Sequence, residues 1–95
     1  MFIINLTYKA KLDEVDKHLA AHIEYLKQQY ANHVFVASGR KIPRTGGIIL
    51  SCLKNKAELL KILDEDPFKI HDLADYQITE FVPSMTSKEF AFLKE

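Results

Sequence analysis

Apolar and polar positions alternate from Phe2 to Tyr8: Phe2, Ile4, Leu6 and Tyr8 share one parity, with Asn5 and Thr7 between the last three. A period of two predicts a strand. From Leu12 the period changes. Leu12, Val15, Leu19, Ile23, Leu26 and Tyr30 recur at steps of three and four with charged residues between, which predicts one amphipathic helix containing neither Gly nor Pro. Asp13 and Glu14 lie near its start, where carboxylates favour the helix dipole. His33 to Ser38, around Val34-Phe35-Val36, predicts a second strand, and Gly47 to Leu53 a third. The segment between them, Gly39 to Gly47, holds three glycines and one proline and reads as the turn of a hairpin. Lys56 to Leu63 predicts a short helix, ended at Asp66-Pro67 because a residue before proline is pushed towards extended conformations. Tyr76 to Val82 makes a fourth strand before Pro83, and Thr86 to Leu93 a short final helix with Phe90, Phe92 and Leu93 apolar.

The order strand-helix-strand-strand-helix-strand is that of a ferredoxin-like α+β domain, with one antiparallel sheet and both helices on one face. Helices cover one face only, yet both look apolar. Phe2, Ile4, Leu6, Val34, Val36, Ile48 and Leu50 fall on one parity, and Ile3, Phe35, Ala37, Ile49, Leu53 and Phe81 on the other. A sheet face left to water should alternate more cleanly. The expected cover is a second copy of the chain in a homodimer, although a C-terminal tail folded back over the face would serve the same end.

Ninety-five residues leave no room for a second core, so one domain spanning 1–95 is expected. The chain carries 13 Lys+Arg against 13 Asp+Glu and no net charge. A protein that neutralises phosphates usually has a basic excess, which argues against nucleic acid and anionic membrane as partners. No apolar run approaches the roughly 20 residues that span a bilayer. The N-terminus places Lys9 and Lys11 after its apolar residues, the reverse of a signal peptide. Cys52, the single cysteine, has no internal disulfide partner and reads as a small core residue in a reducing, cytoplasmic setting.

Three places carry candidate chemistry. His22 lies on the margin of the helical apolar stripe, where it borders a pocket or is simply hydrogen-bonded at the core edge. His18 stands four residues earlier, a spacing that suits a shared metal, but no Glu follows it as a zincin motif requires and no metal is expected. Asp66, in Asp66-Pro67-Phe68, is either a carboxylate held against a cleft or an ordinary turn aspartate. Ser38-Gly39-Arg40 and Arg44-Thr45-Gly46-Gly47 combine glycines, which let a ligand approach the backbone, with two arginines suited to an anionic group. A flexible hairpin with solvated basic residues explains the same letters. No P-loop, dinucleotide fingerprint or serine-histidine-acid arrangement is present.

These places fall together in an ordered set: His22 followed by Tyr25-Leu26; Val36-Ala37-Ser38-Gly39; Pro43-Arg44-Thr45-Gly46-Gly47-Ile48-Ile49; Asp66-Pro67-Phe68; and Tyr76-Gln77-Ile78-Thr79-Glu80-Phe81. In this the chain resembles the YciI-like family, small ferredoxin-like proteins that form dimeric α+β barrels. The resemblance implies a pocket with His22 and Asp66 as its catalytic pair. The residues themselves add Ser38, Gly39, Arg40, Arg44, Gly47 and Phe68 as the expected ligand-binding set. Some relatives dehydrochlorinate chlorinated hydroquinones, and the wider superfamily includes muconolactone isomerase. Two positions depart from the family pattern: Arg40 replaces a frequent proline after Ser-Gly, and Ile23 replaces a frequent arginine after the helix histidine. The expected activity is a cofactor-independent lyase or isomerase that transfers a proton on a small anionic or phenolic substrate. The alternative is a non-catalytic homodimeric module that binds a small ligand or a partner. A haem-degrading or oxygenase-type role, also known on such barrels, is a third reading.

Overall fold

In the computed structural model, which describes residues 1–95, four strands form one antiparallel sheet in the spatial order β2-β3-β1-β4. They are β1 (Phe2–Tyr8), β2 (Phe35–Arg40), β3 (Gly46–Ser51) and β4 (Ala74–Glu80), and the helices between them give the ferredoxin-like α+β fold. β1 lies in the middle because its alternating side chains are buried on the face that the helices cover. Phe2, Ile4 and Leu6 are almost inaccessible and join Ile49, Phe35, Val15, Leu59, Leu63 and Phe68 in a core of 13 apolar residues.

The helix predicted from Leu12 to Tyr30 is two helices, α1 (Leu12–Lys17) and α2 (Leu19–Ala31), with His18 between them out of helical conformation at φ −109° and ψ 4°. Beyond the break the inward side is His22, Tyr25 and Gln29, one position ahead of the predicted stripe. His22 therefore turns inward, while Ile23 is left 41% exposed. At the other crossover, Asn55 caps α3 (Lys56–Leu63) by accepting the Glu58 N–H, and Leu59 and Leu63 seal it to the sheet. Pro67 does more than end that helix. It opens one further turn, α4 (Pro67–Ile70), with Asp66 as its N-cap.

The sheet corrects the expected faces. Ile4 pairs with Ile49 and Asn5 with Ile48, so Ile48 and Leu50 share the open face with Ile3, whereas Ile49 sits in the core. In β2 a bulge between Phe35 and Ala37 shifts the register: Phe35 pairs with Ser51, but Ser38 pairs with Ile49 and Arg40 with Gly47. One extra residue reverses the side-chain alternation. Phe35, Ser38 and Arg40 consequently share the helix-covered face. Without the bulge Ala37 and Gly39 would point there.

Gly46 is required by a close approach of chains. A Cβ at that position would lie 1.8 Å from the Leu6 carbonyl oxygen. Cys52 is exposed rather than in the core, its thiol donating towards the His33 carbonyl, and the buried position is taken by Ser51, whose Oγ donates to the Val34 carbonyl at 2.8 Å. The final segment is a 3-10 helix, Lys88–Leu93, whose Phe90 and Phe92 face outward. It closes on the sheet end through the Glu95 N–H to the Pro83 carbonyl, at 2.9 Å, and the Glu95 carboxylate near the N-terminal ammonium and Lys54.

Candidate functional site

Between α2 and the β2–β3 half of the sheet lies a cavity of about 400 Å³. Its apolar wall comes from Leu6 and Ile49 on the sheet and Leu19, Ile23 and Leu26 on α2. This explains why Ile23 and Leu26 belong to the apolar pattern without being packed away: they face the cavity. Its polar groups are His22, Ser38, Arg40 and Arg44. Gly39, Gly47 and Phe68 also line it, so seven of the eight expected site residues meet here. The eighth, Asp66, lies behind the wall, wholly inaccessible.

His22 joins the two. Its Nδ1 lies 2.8 Å from Asp66 Oδ1, and its ring stacks flat on Phe68 with centroids 3.9 Å apart and planes at 6°. The N-cap role of Asp66 accounts for this precision. As the residue before Pro67 it is extended, at φ −67° and ψ 124°, and Oδ1 accepts the Phe68 N–H at 3.0 Å. The same short turn thus aims the carboxylate and supplies the ring on which the imidazole rests. With Oδ1 already accepting from a backbone N–H, the His22 bond is satisfied by a proton on Nδ1. Nε2, on the far side of the ring, makes no hydrogen bond within the chain and is left to the cavity.

Tyr76 is a residue that sequence reasoning missed. From β4, opposite Leu6, its hydroxyl donates to Asp66 Oδ2 at 2.6 Å. Burial, and then the nearby Asp66 carboxylate, push its phenol far above the ordinary range; Tyr25, which donates to the Ile62 carbonyl at 2.8 Å, is raised for the same two reasons. Tyr8 was missed as well. It lines the cavity, meets Phe68 edge-on at 6.0 Å and carries the Arg44 guanidinium 5.9 Å above its ring. Tyr8 was signalled only by its place on an apolar strand parity, and Tyr76 only as the first letter of Tyr76-Gln77-Ile78-Thr79-Glu80-Phe81, with no role attached.

The basic residues divide into two kinds. Arg44 is engaged: it donates to Asp16 on α1 at 2.6 Å, and that bond, with the attendant charge, raises its pKa. Arg40 has no ion pair within the chain, and Lys41 beside it donates to Thr7 Oγ1. Ser38 Oγ sits 2.5 Å from the Tyr30 hydroxyl. His18, the other half of the possible metal spacing, stacks on His71 with centroids 3.9 Å apart instead of turning towards His22. Chemically, the arrangement offers an imidazole nitrogen, an unpaired cation and the Ser38 hydroxyl around a largely apolar space.

With this geometry, the comparisons define the class of protein. The chain belongs to the YCII-related domain family, whose model matches residues 1–82. Among solved structures it is similar to 5-chloro-2-hydroxyhydroquinone dehydrochlorinase (TftG) from Burkholderia phenoliruptrix, determined in complex with 2,5-dihydroxybenzoquinone. The TM-score is 0.74 at 19% sequence identity, covering 84% of this chain and 91% of that one. At that identity the likeness establishes the fold. No curated protein sequence matches the chain.

Proposed function

We propose that this protein is a cofactor-independent lyase or isomerase in which His22 transfers a proton on a small anionic or phenolic substrate. One observation carries the reading: Asp66 grips His22 from behind, so that the free Nε2 borders a cavity that also holds an unpaired arginine. Asp66 orients the ring and keeps its proton on Nδ1, which makes Nε2 the basic atom. Nε2 takes a proton from a carbon next to a carbonyl. The C–H electron pair moves into the carbonyl, and the negative charge that develops on oxygen is met by Arg40 and the Ser38 hydroxyl. The imidazolium then returns its proton to a different atom of the substrate, or the enolate expels an anionic leaving group and the ring loses the proton to solvent. Gly39 and Gly47 admit the substrate close to the backbone, and Phe68 supports the imidazole. Arg44 is the second cation once a ligand draws it from Asp16.

The working assembly in this reading is a homodimer. Ile3, Ile48 and Leu50 are only half-buried on the open face, and beside them the buried Asn5 Oδ1 has no hydrogen-bond partner. The exposed thiol of Cys52 suits a cytoplasmic setting. No helix is long and apolar enough to cross a membrane.

2,5-Dihydroxybenzoquinone, the ligand of the TftG structure, is a coloured acidic probe of the expected class. Titrated into the protein it should bind saturably, about tenfold more weakly to Arg40→Ala, the cost of one charge-assisted hydrogen bond. Equal affinity for Arg40→Ala and wild type would overturn the ligand class. Binding to wild type with no proton exchange on any substrate of this class would favour the non-catalytic module.

A further inference from the structure

Asp66 has two oxygens and three donors, divided unequally. Oδ1 serves His22 Nδ1 and the Phe68 N–H, while Oδ2 serves the Tyr76 hydroxyl alone. A carboxylate is two-fold symmetric, so the Phe68 N–H alone can be satisfied by either oxygen over a broad range of carboxylate rotation. What pins the plane is a second donor arriving from elsewhere in the fold. Tyr76 stands on β4, in register with Leu6 on the central strand, whereas Asp66 and Phe68 come from the α4 turn. Its side chain is largely buried and is not among the cavity-lining residues, so it has no place against a ligand.

We infer that Tyr76 is a positioning residue of the site: its hydroxyl locks the plane of Asp66, which in turn holds the His22 proton on Nδ1 and turns the Nε2 lone pair to the cavity. The inference deepens the acid–base reading and rests on it. A phenylalanine at position 76 would fill the same space between β4 and the helix layer. The hydroxyl has one partner, and that partner is the orienting carboxylate. Because burial and Asp66 push the phenol well above its ordinary range, it stays a donor wherever the imidazole is titratable. Lys69, whose ammonium lies 5.5 Å over the Tyr76 ring, is committed to Asp64 at 3.0 Å and does not compete for Asp66.

The test is the tautomer of His22, read from two-bond 1H–15N correlations in full-length protein with 15N-labelled histidine at about pH 8.5, above the ordinary imidazole range. Wild type should show His22 as the Nδ1–H form. Tyr76→Phe should move a substantial share, at least a fifth, to the Nε2–H form while far-UV circular dichroism stays unchanged. An unaltered tautomer in folded Tyr76→Phe would overturn the inference. Should that variant not fold, 3-fluorotyrosine placed at position 76 keeps the shape and makes the phenol more acidic. The His22 nitrogen signals must then move, and unmoved signals would overturn the inference equally. Asp66→Ala, which leaves His22 Nδ1 and the Tyr76 hydroxyl without their acceptor, tells the two roles apart. If it abolishes the tautomer preference while Tyr76→Phe does not, Tyr76 alone loses its role; if neither changes the preference, the His22–Asp66 reading fails with it.

Discussion

Removing the Asp66 side chain should cost this small domain a large part of its stability, even though nothing at that position touches solvent. Asp66 is fully inaccessible and accepts three hydrogen bonds, from His22 Nδ1, the Phe68 N–H and the Tyr76 hydroxyl. In Asp66→Ala all three donors lose their acceptor. The Phe68 N–H is fixed by the α4 turn and cannot seek another, so it bears the ordinary penalty of about 1–3 kcal/mol for an unsatisfied buried group. Tyr76 can rotate its hydroxyl and His22 can change tautomer, so each belongs near the lower end, at about 1 kcal/mol. The sum is about 3–5 kcal/mol, and relief of the buried charge brings the expected net loss towards about 3 kcal/mol. Small domains hold only about 5–15 kcal/mol in all. With a urea slope of about 1 kcal/mol per molar, the midpoint should fall by about 3 M. Asp66→Asn should lose about half as much. Its carbonyl oxygen still accepts from Phe68, and its amide can donate to a Tyr76 oxygen that has turned its hydrogen away. Equilibrium urea denaturation followed by circular dichroism measures both. An Ala variant within about 1 kcal/mol of wild type, or an Asn variant as damaged as Ala, would refute the reasoning.

Other consequences are equally direct. Gly46→Ala puts a methyl group against the Leu6 carbonyl, which is backbone and cannot step aside, so thermal denaturation should show a loss of about 3 kcal/mol, the top of the usual overpacking range. Tyr76 and Tyr25 are raised above their ordinary value of 10.0. Below that pH folded and unfolded chains both hold the phenolic protons; above it the unfolded chain releases them first, so stability must fall as pH rises past 10. Denaturation midpoints between about pH 9 and pH 11 should therefore drop less steeply in Tyr76→Phe than in wild type. Asp16→Asn frees Arg44 from its exposed ion pair, so stability should hardly change while titration with 2,5-dihydroxybenzoquinone shows several-fold tighter binding. Sedimentation of Ile3→Lys should show a smaller species than wild type if the open sheet face joins two copies.

Much of this was legible beforehand because its physics is local. From Ile4 to Tyr8 apolar and polar residues alternate, and the pattern marks the central strand. Asp66-Pro67-Phe68 marked a break, and the cap geometry at that break is what aims the carboxylate. The errors lie where a choice depends on partners distant in the chain. Nothing between Leu12 and Tyr30 announces the interruption at His18, since the segment has neither glycine nor proline, yet the interruption turns His22 inward. The β2 bulge was hidden because Val34, Phe35 and Val36 are all apolar, so no alternation existed to reveal which parity faced the helices. That bulge decides whether the side chains of Ser38 and Arg40, or that of Ala37, point to the helix-covered side of the sheet. Cys52 was placed in the core because the third strand was read to Leu53, whereas β3 stops at Ser51. Tyr76 could be assigned no partner until the β1–β4 register brought it to Asp66, and for that reason its hydroxyl, unlike His22, left no trace in spacing.

The central claim is that His22 moves a proton on a bound small molecule. Its most direct test is solvent deuterium exchange: a panel of enolisable phenolic and carboxylate compounds incubated in D2O with wild type or His22→Gln, with loss of carbon-bound protons followed by NMR. General acid–base catalysis by a positioned side chain contributes about 10²–10⁴-fold. The account predicts that at least one compound exchanges about a hundredfold faster with wild type than with the variant. Equal exchange by both proteins across the panel, with 2,5-dihydroxybenzoquinone still bound by the wild type, would contradict it.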